Sequence, residues 1–249
     1  MKVCKVITTS FLERKIREET TLCGNPKGLF NHSQNFPTPK SIIELLKLTV
    51  SLEEKTDPGI LTDVVIVNND VGFKEGNDFL NSINNKKFKN GKLKILFKEN
   101  YGRSFAGYNY AFKQLKDEYD YFIFTEDDII IHHSNYSIKA VDCFNRQKNI
   151  GAVAYQSTTI ENYEGVSAEE FIHIHGGVCL SSTKVLKELY NKLGNLPHCK
   201  KNDSQLYENI IKNGEIAFTN EIYKLGYKLT NINEQLYDYA YDFIKKNKK

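Results

Sequence analysis

Three consecutive carboxylates, Glu126, Asp127 and Asp128, end the apolar run of "YDYFIFTEDD", and a second apolar run, "III", follows at once. Adjacent acids raise one another's pKa, and keeping all three ionised costs free energy unless a cation sits among them. A divalent metal with oxygen ligands removes that cost. Magnesium and manganese take few protein carboxylates and fill their shells with water and substrate phosphates, so one or two acids at a strand end suit a metal–diphosphate site. The competing reading is a turn whose acids point to water. Just upstream, "ENYGRSFAGYNYAFKQL" sets Gly102, Gly107, Asn100 and Asn109 around the start of a predicted helix. Glycine permits close backbone approach, and a helix N-terminus offers unpaired N–H groups to an anion. Arg103 is either a phosphate fork or an exposed surface charge. Downstream, His173 and His175 alternate along "FIHIHGG" and share a strand face, where they could contact a sugar, bind metal or pack.

The elements that position these residues are short. "VCKVITT", "DVVIVNND", "KLKILF", "YDYFIFTEDD" and "IGAVAYQS" are β-branched or aromatic runs ending at polar residues, and they read as buried strands. Between them lie helical patterns. Ile42, Leu45, Leu46 and Leu48 follow Ser41, with Glu44 completing an expected capping box. Phe105, Tyr108, Phe112 and Leu115 form one face of a second helix. Strands alternating with helices predict an α/β domain whose largely parallel sheet binds ligands beyond the carboxyl ends of its strands. The polar clusters "TTS", "NND", "ENYGR" and "EDD" all fall at such ends. Residues 19–39, rich in glycine and proline, are expected to be a long irregular connection.

Composition narrows the classes of function. With 249 residues and 40% hydrophobic content, the chain can bury one sizeable core. A formal net charge of +3 gives no electrostatic argument for a nucleic-acid partner. Five scattered cysteines without a C-x-x-C argue against a disulfide framework or a structural zinc site and fit a reducing compartment. The N-terminal apolar stretch is too short for a signal peptide, and no run approaches the length of a membrane span. A cytoplasmic protein is expected. The tail "YDYAYDFIKKNKK" reads as a terminal helix lying on the body or, alternatively, on an anionic membrane surface at the inner face.

The segment "ENYGRSFAGYNYAF", a hydrophobic strand and then an acidic pair together resemble the GT-A-fold glycosyltransferases, particularly family 2. The resemblance covers approximately residues 1–235 and implies one GT-A (Rossmann-like) domain. It has a nucleotide-binding half at about 1–130, an acceptor-binding half at about 131–235, and a tail at 236–249. It implies an Mn2+ or Mg2+ cofactor, a nucleotide-diphosphate sugar donor with UDP favoured, and a glycan or glycolipid acceptor in polysaccharide biosynthesis. In that pattern the D-x-D-like motif makes Asp128 the metal ligand, turns Glu126 toward the ribose and puts Asp127 near sugar or acceptor. Thr8 and Thr9 after the first strand, Asn69 and Asp70 after the second, and Arg103 and Asn109 join the nucleotide site. His175, Gly176 and Gly177 approach the sugar or acceptor.

The resemblance further makes Glu215, eleven residues before the helix-stopping Gly226, the catalytic base at the start of a helix, with Glu221 and Glu208 in reserve. Helix capping is the other reading of Glu215. The chain departs from the pattern at Gly214, which replaces the first acid of the usual E-D pair, and no histidine follows Glu215. The metal then relies on Asp128, water and diphosphate, or on His132, His133, His173 or His175 brought from elsewhere. The implied reaction is a single inverting displacement. A retaining mechanism, a sugar nucleotidyltransferase and a non-catalytic nucleotide-sugar or glycan-binding module on the same fold stay open, although "TTSFLERK" lacks the glycine-rich loop of a nucleotidyltransferase.

Overall fold

Every residue of β1 (Val3–Thr9) is buried, as a strand covered on both faces must be. In the computed structural model, which describes residues 1–13, 35–159, 172–203 and 207–247, β1 lies inside an eight-stranded sheet. Most of the irregular connection expected at 19–39, and the side chain of Glu208, lie outside the described residues. The first half runs α1 (Pro39–Lys55), β2 (Thr62–Asp70), α2 (Lys74–Ile83), β3 (Lys87–Phe88), β4 (Gly91–Glu99), α3 (Arg103–Leu115) and β5 (Tyr121–Glu126). The second runs β6 (Ile129–Ile131), α4 (Tyr136–Arg146), β7 (Ile150–Ala154), β8 (Ser157–Thr159), β9 (Ile172–Ile174), β10 (Cys179–Ser182) and α5 (Thr183–Leu193). It ends with α6 (Tyr207–Ile210), a π-helical segment at Ile211–Ile216, α7 (Ala217–Lys224), β11 (Lys228–Asn231), β12 (Tyr237–Tyr239) and α8 (Ala240–Asn247).

The strand order is β11-β7-β10-β5-β1-β2-β4-β3. β3 and β10 pair antiparallel with their neighbours, and the other pairings are parallel, so the sheet is mostly parallel as the sequence predicts. One face carries α3, α5 and α7 over Cys4, Val6, Phe122 and Phe124. On the other, α1, α2 and α8 cover Ile7, Val64, Ile66 and Leu93. α4 packs beside them over Val3, Ile123 and Leu180. The alternation along β1 decides which side chain meets which helix.

One local expectation is corrected and another is met. α1 is capped by Thr38 rather than Ser41: the Thr38 hydroxyl accepts from Ser41 N–H at 3.2 Å, Ser41 returns the bond, and Pro39 starts the helix. The C-terminal tail is spent on the body. β12 pairs antiparallel with β6, while Ala240, Phe243 and Ile244 of α8 join the α1–α2 core. That packing partly buries the apolar face of α8. Among the described residues no helix is long and apolar enough to cross a membrane.

Candidate active site

β1 pairs with β2 on one side and with β5 on the other, so successive strands leave it in opposite directions. Such a reversal opens a crevice at the carboxyl ends of the two strands. Thr8 is in register with Glu126 there, which puts the acidic run at the crevice floor. The fold therefore brings the residues singled out at 126–128 to this reversal of strand order.

The three acids do different work. Asp127 turns back into the sheet, where its carboxylate accepts from the Thr9 hydroxyl at 2.6 Å and its N–H donates to Thr8 O at 3.1 Å. This corrects its expected place at the sugar or acceptor. Glu126 accepts a hydrogen bond from Ser104 in the first turn of α3. Burial, then the charge of Asp128, and after it those of Glu215 and Asp127, push the Glu126 carboxyl up to about 8 against the pull of Ser104. Asp128 is 7% exposed, and its backbone carbonyl accepts from Ala240 N–H at 2.8 Å, so the tail fixes its backbone.

Glu215 reaches this cluster from the π-helical segment, which continues α6 into α7. It lies inside a helix rather than at a helix start, so end-of-helix capping does not explain it. A π-bulge turns side chains off the regular helical stripe and is frequent at functional sites. Gly214 presses on Phe105 of α3, where an added Cβ would stand 3.0 Å from the ring; the residue absent from the usual acid pair is needed for this close approach. His173 Nε2 lies 2.8 Å from Glu215 Oε1, and His175 Nδ1 lies 3.5 Å from the same oxygen. Burial alone would raise the Glu215 pKa, yet the two imidazoles pull it down to about 2. Burial works against a proton on His175, but Glu215, Glu126 and Asp128 prevail and raise its pKa above 6.5. His175 is the outer of the two imidazoles, with 31% side-chain exposure against 7% for His173.

Gly176 and Gly177 sit in a 3-10 turn after β9 with φ of 59° and 72°, conformations that favour glycine. A Cβ on Gly176 would come within 3.3 Å of Glu126 Oε2, and one on Gly177 within 2.8 Å of Phe105. The turn is thus folded tightly onto the carboxylates. Across the crevice, Gly102 and Arg103 both take left-handed backbone at the start of α3, with φ of 62° and 48°. Left-handed backbone in a residue with a side chain costs on the order of 1–2 kcal/mol, and such strain gathers at ligand clamps. Arg103 is exposed at the N-terminus of α3, beside Ser104.

The other expected nucleotide contacts are placed differently. Thr8 and Thr9 are buried: Thr8 packs under α3, where a Cβ on Gly107 would meet its methyl at 2.6 Å, and Thr9 holds Asp127. Both act on the crevice from behind. Asn69 is also buried, donating to Thr9 O at 3.2 Å and accepting from Lys98 at 2.9 Å. Asp70 caps its own turn by accepting from Gly72 N–H at 2.8 Å and from Asn77 at 2.9 Å. Asn109 accepts from Leu196 N–H at 2.9 Å, tying the loop after α5 to α3. Sequence reading missed Ser104 and Lys98. Lys98 is brought down to about 8 by burial and donates to Asn69 and to the carbonyls of Glu99 and Tyr101. Ser104 stood in the quoted glycine-rich segment, but nothing in that segment showed that it would meet Glu126.

The carboxylates fit a divalent cation. Glu126, crowded by Asp128 and Glu215, is pushed toward holding a proton at neutral pH, and a dication relieves the same repulsion. Among the described residues, the histidine, cysteine and acid side chains grouped closely enough to hold an ion with three ligand atoms are His132, His133 and Asp238, not this cluster. The crevice therefore suits an ion held by one or two carboxylates and otherwise by water and phosphate. His132 and His133 lie beyond the far end of β6 from Asp128, and His173 and His175 are engaged with Glu215. An open depression of about 800 Å³, lined by Met1, Tyr119, Tyr121, Phe144 and Lys187, lies at the other edge of the sheet where β1 and β5 begin. It holds none of these groups, and here chemistry rather than volume marks the site.

No family model matches the chain, and no curated protein matches its sequence. Solved structures do resemble it. The mannosyltransferase PcManGT from Pyrobaculum calidifontis, in complex with GDP-Man and Mn2+, superposes with a TM-score of 0.51 at 12% identity, over 94% of this chain. This chain spans 55% of that protein's length. CMP:2-keto-3-deoxy-manno-octonic acid synthetase complexed with CTP superposes with a TM-score of 0.50 at 10% identity, over 93% of this chain and 89% of that one. At such identities the likeness is one of architecture, and the chain has a GT-A-like α/β fold.

Proposed function

We propose that this chain is a metal-dependent glycosyltransferase that moves a sugar from a nucleotide-diphosphate donor to an acceptor hydroxyl. The observation that carries the proposal is the convergence of Glu126, Asp128 and the His175–Glu215 pair at the reversal of strand order. Glu126 and Asp128 would hold Mn2+ or Mg2+, and the bound ion would offset charge on the donor diphosphate. Arg103 and the first turn of α3 bind phosphate oxygens from the opposite wall. Asp70, at the outer end of β2, would contact the base or ribose, and Lys98 would support that edge by holding Asn69. Residues 1–130 thus serve the donor and residues 131–235 the acceptor.

A carboxylate with a pKa of about 2 has little affinity for a proton at neutral pH, so Glu215 alone is a weak base. The geometry favours a two-residue unit. With Glu215 Oε1 3.5 Å from His175 Nδ1, the carboxylate would orient this imidazole and leave its more exposed Nε2 to take the acceptor's proton. The acceptor oxygen then bonds to the anomeric carbon as the carbon–oxygen bond to the diphosphate breaks, and the anomeric configuration inverts. Gly176 and Gly177 let the sugar approach the backbone. The donor favoured is a UDP-sugar, and the acceptor a glycan or glycolipid of polysaccharide synthesis.

A thermal-shift screen of nucleoside diphosphates with Mn2+ tests this reading, because a ligand that binds only the folded chain raises its Tm. A hit that is lost in Asp128→Ala supports it. Absence of any hit, or a hit of the same size in Asp128→Ala, overturns it. The architecture shared with a CTP-bound synthetase favours a nucleotidyltransferase as the second reading. Product analysis separates the two: released nucleoside diphosphate marks sugar transfer, whereas pyrophosphate from a nucleoside triphosphate and a sugar substrate marks nucleotidyl transfer.

A further inference from the structure

His132 and His133 follow β6 directly, and Asp238 faces them from β12, its antiparallel partner. Their ligating atoms all lie within 4.8 Å of one another. His132 Nε2 is 2.9 Å from Asp238 Oδ2, and the two imidazole rings lie 4.6 Å apart at 34°. Phe243 of α8 walls the group on one side, its ring 4.8 Å from that of His132. All three residues are half-buried, so the group is walled yet reachable from solvent.

We propose that His132, His133 and Asp238 form a second metal site, which takes a borderline transition-metal dication such as Zn2+ and fastens the C-terminal tail to the body. Two imidazoles and one carboxylate suit zinc, nickel or copper rather than magnesium, which prefers oxygen throughout. Tetrahedral zinc with bonds of 2.0–2.2 Å places ligand atoms roughly 3.4 Å apart, so rotation of side chains by about an ångström closes the triad around an ion and leaves a fourth position for water. Lys246 occupies the other Asp238 oxygen at 2.9 Å, but its side chain is 68% exposed and is free to swing into water.

The site is separate from the acidic crevice. The three residues of β6 lie between Asp128 and His132, so their backbones are four extended steps or roughly 13 Å apart, which is too far to share one ion. His132 O accepts from Thr56, just past the end of α1, so it lies toward the edge of the sheet where β2 begins. The link to the crevice runs through the tail. β12 carries Asp238 and also Tyr239, hydrogen-bonded to Gln156, and the next residue, Ala240, donates its N–H to Asp128 O. An ion on Asp238 would hold in register the same strand that holds the Asp128 backbone. This inference stands whether or not the chain transfers sugars.

The test uses tag-free full-length protein stripped with a chelator and titrated with Zn2+ by calorimetry and thermal shift, with Co2+ absorption as a report of coordination. One equivalent of Zn2+ should bind and raise the Tm. His133→Ala should weaken binding roughly tenfold or more, as loss of a ligand does at least as strongly as loss of a supporting contact. Asp128→Asn should leave it unchanged, which separates failure here from failure of the crevice. His133→Gln is the second variant should the alanine form fail to fold. Absence of Zn2+ binding to the wild-type chain, or undiminished affinity in the His133 variants, would overturn the proposal.

Discussion

Two regions of this molecule combine a pair of histidines with one carboxylate, and they differ in what surrounds them. At the crevice, His173 and His175 converge on one oxygen of Glu215 while Glu126 and Asp128 press from across the floor. On the tail, His132 and Asp238 form a single contact, and Lys246 balances the carboxylate from solvent. In the first region negative charge exceeds what the two imidazoles answer, so proton affinities are driven apart: Glu126 up to about 8, Glu215 down to about 2. In the second the charges nearly close on themselves. Identical residue types thus set proton affinity in one place and fasten chain to chain in the other, and the number of neighbouring charges decides which.

The sharpest way to break this contrast is to neutralise the carboxylate in each region. Glu215→Gln should lower turnover by about 10²-fold or more, the scale of lost general-base assistance, with nucleotide affinity retained by calorimetry. Asp238→Asn should instead cost about 1–2 kcal/mol of folding stability, seen as a lower denaturation midpoint, because one partly buried hydrogen bond is weakened. Near-normal turnover in Glu215→Gln would remove the catalytic half of the comparison.

A pH profile sharpens it further. Protonated His175 cannot accept a proton, so kcat/KM should fall as the pH drops through a pKa raised above 6.5, and that acid limb should vanish in His175→Gln along with most of the activity. Were Glu215 alone the base, with its pKa near 2, the rate would stay flat from neutral pH down to acid unfolding.

A smaller effect concerns stability. The folded Glu126 pKa of about 8 lies above its ordinary 4.5, so the folded chain holds an extra proton between these values and stability falls as the pH rises from 4.5 to 8. Glu126→Gln removes that loss. In metal-free buffer its Tm should exceed wild type at pH 9 by several degrees, at roughly 2–4 °C per kcal/mol for a chain of this size, with the gain shrinking toward pH 4.5. The Glu126 side chain keeps some water contact, which holds the gain below that of full burial. The smallest effect is expected for Lys246→Ala, whose exposed ion pair should leave the Tm unmoved.

The sequence by itself determined the five main strands, β1, β2, β4, β5 and β7, and the helices α1 and α3 that alternate with them, because β-branched runs ending at polar residues and helical apolar stripes are local patterns. It also located the acidic run, since three carboxylates at the end of an apolar run are costly to bury and stand out, whereas the glycine turn at 176–177 and Glu215 are singled out through the family resemblance. Only the tertiary structure decided what each does. Asp127 turns inward and Glu126 outward because β1 and β5 meet in a register that puts Thr9 within reach of one and leaves the other facing Ser104 and Gly176. The π-helical turn that carries Glu215 to the histidines has no sequence signal comparable to a cap or a stripe. The joining of His132 to Asp238 spans more than a hundred residues. Pairings of that kind depend on how the sheet closes and on which helix covers which face, and those are set by the summed packing of the whole chain rather than by any segment of it.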